Sequence, residues 1–108
     1  MKILGSFEQT VLLAIVRLGD EAYGRAILKD AQLRLRRQLA AGAVYATLER
    51  LEQQRLISSR LEPGPTIRAG RPRRYYVLTN AGARALNESK AAVESVWQGL
   101  RWPVKGGA

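Results

Sequence analysis

The chain contains no cysteine and no histidine among its 108 residues, only nine acidic residues against 18 Lys and Arg, and few aromatics, at 6%. Without cysteine there is no disulfide framework, no thiolate nucleophile and no cysteine-based zinc site. Without histidine, the commonest general base and the commonest metal ligand are both missing, so Ser–His and Cys–His nucleophilic chemistry is excluded. No long apolar run is present either: the stretch from Val11 to Val16 is bounded by Glu8 and Arg17. It falls far short of the roughly 18 residues that a membrane span requires. No basic-then-apolar leader opens the chain, and the expected location is cytoplasmic. No glycine-rich phosphate loop ending in Lys-Ser/Thr occurs. Glu49 and Glu52 share a segment with Arg50 and Arg55, where solvated pairing is the ordinary role. A non-enzyme with no cofactor and no metal is therefore expected.

What is present is a positive chain, at +9, with 46% hydrophobic residues. That is enough apolar material for one folded domain rather than a basic tail. The natural partner of such a charge is a polyanion. Ser6-Phe7-Glu8-Gln9 reads as a capping box that opens a helix over residues 6–18, with Phe7, Val11, Leu12, Ala14, Ile15 and Leu18 at helical spacing. This helix is apolar on more than one face. Asp20 is the expected cap of a second helix over 22–35, whose apolar positions are Tyr23, Ile27, Leu28, Ala31 and Leu35. Gly42 opens a third over 43–54, with Val44, Leu48 and Leu51 as its buried stripe, Tyr45 beside them, and Ala43, Thr47, Arg50 and Gln54 facing outward.

The period then changes. Ile57, Ser59 and Leu61 alternate, Pro63-Gly64-Pro65 and Gly70-Arg71-Pro72 break any regular element, and Tyr75 to Leu78 forms a second β-rich run. The pair predicts a β-hairpin with a long tip over 62–73. Tyr75 and Tyr76 must point to opposite faces of their strand, one of them into the core. Thr79 caps a last helix over 80–102, ended by Pro103. The architecture is mainly α with a small β-hairpin.

The charge is concentrated in that hairpin, which carries Arg60, Arg68, Arg71, Arg73 and Arg74 against the single acid Glu62, almost half of the net +9. A short connection joins the second and third helices. The small residues Ala43, Ala46 and Thr47 let the third approach base edges closely, and Arg50 can reach a guanine or a phosphate. A basic hairpin following such a helix makes a winged helix-turn-helix, with double-stranded DNA as partner. A non-specific architectural nucleic-acid binder, using the same basic wing without base readout, is the competing reading.

Leu4-Gly5 before the first helix, Tyr23-Gly24 at the second, Gly42-Ala43-Val44-Tyr45-x-x-Leu48-x-x-Leu51 in the third, and Gly70-Arg71-x-Arg73-Arg74-Tyr75-Tyr76-x-Leu78-Thr79-x-x-Gly82 across the wing resemble the PadR family of transcriptional regulators. The resemblance spans residues 4–86, and the length is similar to the family's short branch with one C-terminal helix. It implies a homodimeric bacterial repressor of a palindromic operator, with the third helix in the major groove and the wing along the backbone. Tyr45 would then touch phosphate and Tyr23 would lie near the backbone. The chain departs from the pattern at Ala40-Ala41, where Ser or Thr often stands, and at Asn80, where Pro is common.

Leu86, Val93, Val96, Trp97 and Leu100 form one stripe on the last helix. Soluble monomers rarely expose such a patch, so these residues, with Phe7 and Val11 of the two-sided first helix, are the expected dimer contacts. Some short PadR-like regulators resemble multidrug sensors in which a tryptophan of this helix stacks flat ligands. That resemblance makes Trp97 a possible contact for a planar hydrophobic small molecule. The chain thus divides into a winged helix-turn-helix over 1–79, a dimerisation helix over 80–103 in the same compact unit, and a frayed tail over 104–108.

Overall fold

The computed structural model describes residues 3–62 and 72–107. Helix α1 (Ser6–Leu18) leads through a 3₁₀ turn, Gly19–Glu21, into α2 (Gly24–Leu35), followed by α3 (Ala41–Gln53). Strands β1 (Ile57–Glu62) and β2 (Arg73–Leu78) pair antiparallel, and α4 (Asn80–Trp97) closes the order. The core forms where α1, α2 and α3 converge on the wing: Val11, Leu12, Ala14, Ile15, Ile27, Val44, Leu48, Leu51, Ile57 and Tyr76 are buried together. Ile57 and Tyr76 lie on the same face of the hairpin, two positions apart in register. Tyr76 is thus the inward tyrosine and Tyr75 the outward one, as their alternation requires.

Several element boundaries differ from the sequence expectation, each for a local reason. The cap of α1 is Gly5 rather than Ser6: Glu8 Oε1 accepts the Gly5 N–H at 3.0 Å, and Gln9 Nε2 donates to the Leu4 carbonyl at 2.9 Å. Asp20 does not cap α2. It lies within the 3₁₀ turn, and Ala22 stands outside the helix at φ −85° and ψ 71°, its carbonyl accepting the Tyr76 N–H at 2.8 Å, so that Tyr23 becomes the N-cap. Helix α3 begins at Ala41, two residues early, and ends at Gln53. Helix α4 stops at Trp97, five residues before the expected end. Gly99 is a poor helix former, and Pro103 pushes the residue before it out of the helical region. Trp102 therefore stands beyond the helix, 81% exposed.

Thr79 caps α4 as its sequence position predicts, accepting from the Gly82 N–H at 3.0 Å. The same hydroxyl donates to the Arg55 carbonyl at 2.8 Å, and the Thr79 N–H donates to the Leu56 carbonyl at 3.1 Å. This corner packs so closely that a Cβ on Gly82 would lie 2.1 Å from the Leu56 carbonyl oxygen. Farther along α4, the fully buried Ser89 Oγ accepts the Leu4 N–H at 2.9 Å and fixes the start of the chain against the last helix.

Candidate nucleic-acid interface

The wing base is joined to α2 by an isolated antiparallel bridge between Tyr23 and Tyr75. That bridge brings the start of α2, the exposed side of α3 and the beginning of β2 around one cleft of about 520 Å³. Among the described residues its lining is Tyr23, Gly24, Arg25, Tyr45, Pro72, Arg73, Arg74 and Tyr76, three guanidinium groups and three phenols with no carboxylate. A Cβ on Gly24 would sit 2.4 Å from Tyr45 Cε1, so the glycine sets where that ring can rest. The Tyr45 ring therefore lies directly on the first turn of α2.

The arginines are ordered by the sheet. Arg73 stacks over the Tyr23 ring at 4.0 Å, Tyr23 meets Tyr75 edge-on at 5.7 Å, and Arg60 lies over Tyr75 at 5.2 Å. Arg60 and Tyr75 are cross-strand partners, the geometry that brings such pairs together. Arg60 also donates to Glu62 at 2.8 Å, the pair that raises its pKa further. On the other face Arg74 Nη1 donates to Ser59 Oγ at 3.0 Å, and Ser59 Oγ donates to Glu52 Oε2 at 2.7 Å. This relay runs from the wing through β1 into α3. Burial pushes the Tyr76 hydroxyl above its ordinary pKa, opposed by the nearby Arg74 charge and reinforced by Glu52.

The site residues expected from the sequence divide accordingly. Tyr23, Tyr45, Arg73 and Arg74 line one cleft. Ala43, Ala46 and Arg50 lie along α3, where Ala43 and Arg50 are exposed and Ala46 is exposed beside Tyr45. Thr47 is not on the outer face: it is 2% exposed, because position 47 stacks between Val44 and Leu51 on the inward stripe. Its hydroxyl instead accepts from Arg50 Nη2 at 3.3 Å. Arg68 and Arg71 lie outside the described residues. Arg25, which no sequence motif marks, lines the cleft because α2 starts at Gly24 rather than at residue 22. The signal for it was its place two residues after Tyr23 in a basic chain.

On the opposite side, a groove of about 460 Å³ runs between α1 and α4, lined by Leu13, Val16, Leu78, Ala83 and Leu86 and rimmed by Gln9, Asn87 and Lys90. Val93, Val96, Trp97 and Leu100 are exposed beyond it, Val96 at 78% and Trp97 at 41%. Phe7 is half-buried against the core. Val11 is fully buried within the chain's own core, since helical spacing puts it on the inward face with Leu12 and Ile15, and it is no candidate for contact with a partner. The second apolar face of α1 is carried by Leu13 and Val16. Among the described residues no helix is long and apolar enough to cross a membrane, and no cluster of acidic side chains could hold a metal ion.

Three helices, the third rich in small residues and set beside a basic cleft, and a two-stranded wing form a winged helix-turn-helix, a DNA-binding fold. The family model of the transcriptional regulator PadR-like family matches residues 12–88, and the chain belongs to that family. Its members are transcription regulators, not enzymes. The structure is similar to a PadR family transcriptional regulator from Eggerthella lenta DSM 2243, at 32% identity and a TM-score of 0.64 over 82% of this chain and 75% of that one. It is also similar to a PadR family transcription regulator from Clostridium difficile R20291, at 30% identity and a TM-score of 0.62 over 85% and 95% of the two chains. A PadR-like transcription factor from Bacteroides fragilis shares 27% identity at a TM-score of 0.67 over 83% and 82%. No curated protein matches the chain significantly.

Proposed function

We propose that the protein is a homodimeric, sequence-specific repressor of a palindromic double-stranded operator. The observation that carries this reading is the cleft shared by α2, Tyr45 and the wing base, whose lining holds Arg25, Arg73 and Arg74 and no acid. A phosphodiester seated there meets guanidinium forks and phenol donors together. Ala43 and Ala46 then face base edges, with Arg50 one turn farther on. The exposed stripe on α4 and the apolar groove beside α1 support pairing of two copies through these surfaces, which sets two α3 helices on half-sites about one helical turn apart. Trp97 packs in that pairing, and its partial exposure leaves one ring face for a planar hydrophobic effector.

The test is binding to DNA upstream of the protein's own gene across a salt series. With roughly eight phosphates neutralised per dimer, the log–log slope is expected near −7. Arg50→Ala should cost about 1–3 kcal/mol at the cognate site alone. A small loss, equal for every sequence, would establish the architectural reading instead. Sedimentation at micromolar concentration should give twice the 12.0 kDa chain mass, and a species of one chain mass would refute the dimer. Planar aromatic compounds that quench wild-type and Trp97→Ala fluorescence equally would remove the effector site.

A further inference from the structure

The connection between α2 and α3 carries charge that the wing cleft does not use. Arg34 lies in the last turn of α2, and Arg36, Arg37 and Gln38 come after it. With Lys29, Gln32 and Leu33 the last three line a shallow hollow of about 460 Å³ that holds three cations, two amides and no carboxylate. The one acid between residues 29 and 41, Asp30, is engaged elsewhere by Arg17, whose Nε donates to Oδ2 at 3.2 Å. The negative end of the α2 dipole suits Arg34, Arg36 and Arg37 alike, but it does not call for an arginine in the backbone conformation found at the cap. Arg36 adopts φ 55° and ψ 43°, the left-handed conformation that glycine takes most readily after a helix. A long cation is held there at the expense of backbone comfort. The turn is also fixed: the Gln32 carbonyl accepts the Arg37 N–H at 3.3 Å, and its Oε1 accepts the Leu39 N–H at 3.0 Å.

We infer that this hollow is a second phosphate-binding surface, which takes the DNA backbone on the side of the major groove opposite the wing cleft. The inference rests on the DNA-binding reading given above. Its geometry comes from α2. The wing cleft lies at the first residues of this 12-residue helix and the hollow at its last. At 1.5 Å per residue the two basic surfaces stand roughly 18 Å apart. That distance suits the backbones flanking a major groove about 12 Å wide. Helix α3, which begins four residues beyond Arg37, would enter the groove with positive charge on both sides. Leu33, 73% exposed at the rim, offers an apolar contact to deoxyribose.

The experiment uses the full chain, the operator it protects, Arg36→Gly and the double variant Arg36→Gly/Arg37→Gln. Glycine keeps the left-handed turn, so Arg36→Gly should melt at the wild-type temperature or above. Its log–log salt slope should nevertheless be shallower by about 1.8 per dimer, one phosphate per protomer, and that of the double variant by about 3.6. Ethylation interference should lose one cluster of phosphates in each half-site while the cluster owed to the wing remains. An unchanged slope and interference pattern in the double variant, with Arg73→Gln still weakening binding, would overturn the hollow and leave the wing reading intact. Absence of specific binding by the wild type would overturn both.

Discussion

Replacing Gly24 with alanine separates folding from DNA contact within one methyl group. The added Cβ would fall 2.4 Å from Tyr45 Cε1, 3.1 Å from Cζ and 3.0 Å from the hydroxyl. Carbon atoms rest at about 3.5–4.0 Å, so the Tyr45 ring must withdraw by roughly 1 Å or swing off α2 altogether. It is free to do so, since its outer side is exposed. Stability should hardly change: alanine is up to about 1 kcal/mol better than glycine within a helix, which offsets the lost ring contact. What should suffer is the phosphate contact proposed for the Tyr45 hydroxyl. A hydrogen bond to a charged group contributes about 1.5–3 kcal/mol, so operator affinity should fall roughly 10- to 100-fold per half-site. Fluorescence anisotropy on the operator, paired with thermal melting, reads both quantities. Tyr45→Phe, which keeps the ring and removes only the hydroxyl, should reproduce the loss. Wild-type affinity in either variant would refute the placement of this hydroxyl on phosphate.

Gly82→Ala should behave in the opposite way, because its Cβ would strike the Leu56 carbonyl oxygen at 2.1 Å and Leu78 Cδ1 at 2.7 Å, and backbone cannot swing aside. A loss of about 3 kcal/mol is expected, seen as a melting temperature lower by roughly 10–20 °C. Ser89→Ala leaves the buried Leu4 N–H without its acceptor and should cost about 1–3 kcal/mol, with faster hydrogen exchange at that amide. Tyr76, whose pKa is raised by burial, should make the fold sensitive to alkali. Below the ordinary tyrosine pKa both folded and unfolded chains hold the proton and no effect arises. Above it the unfolded chain releases the proton first, so stability falls as pH rises. Chemical denaturation at pH 8 and pH 11 should show a smaller difference for Tyr76→Phe than for the wild type, and equal differences would refute the assignment.

The apolar periodicity located α1, α3 and the wing because each buries one face, and burial writes that face into the spacing. Tyr75 and Tyr76 could be told apart only as a pair, since alternation fixes opposite faces while the packing of β2 on the core decides which is inside. Boundaries governed by distant contacts were not legible. Ala22 leaves α2 because its carbonyl is claimed by Tyr76, more than fifty residues later in the chain. Thr47 looked outward by polarity, but its methyl-bearing side chain fits the stripe of Val44 and Leu51 and its hydroxyl finds Arg50. Val11 went the other way for a similar reason: an apolar residue on a two-sided helix does not declare which side it serves. Of the interface, the basic wing and Tyr45 were readable from charge and motif. The inclusion of Arg25 and the ordering of Arg73 over Tyr23 depend on the Tyr23–Tyr75 bridge, which no local pattern announces.

The relay from Arg74 through Ser59 to Glu52 has a consequence for the nucleic acid rather than for the protein. It ties the wing to α3 by two hydrogen bonds, at 3.0 and 2.7 Å, so the spacing between these two elements is fixed within the free protein. On the proposed DNA-binding reading, operators whose base steps bend readily should adapt to that fixed spacing and stiff tracts should resist it, so that bases no side chain touches would be selected through their flexibility.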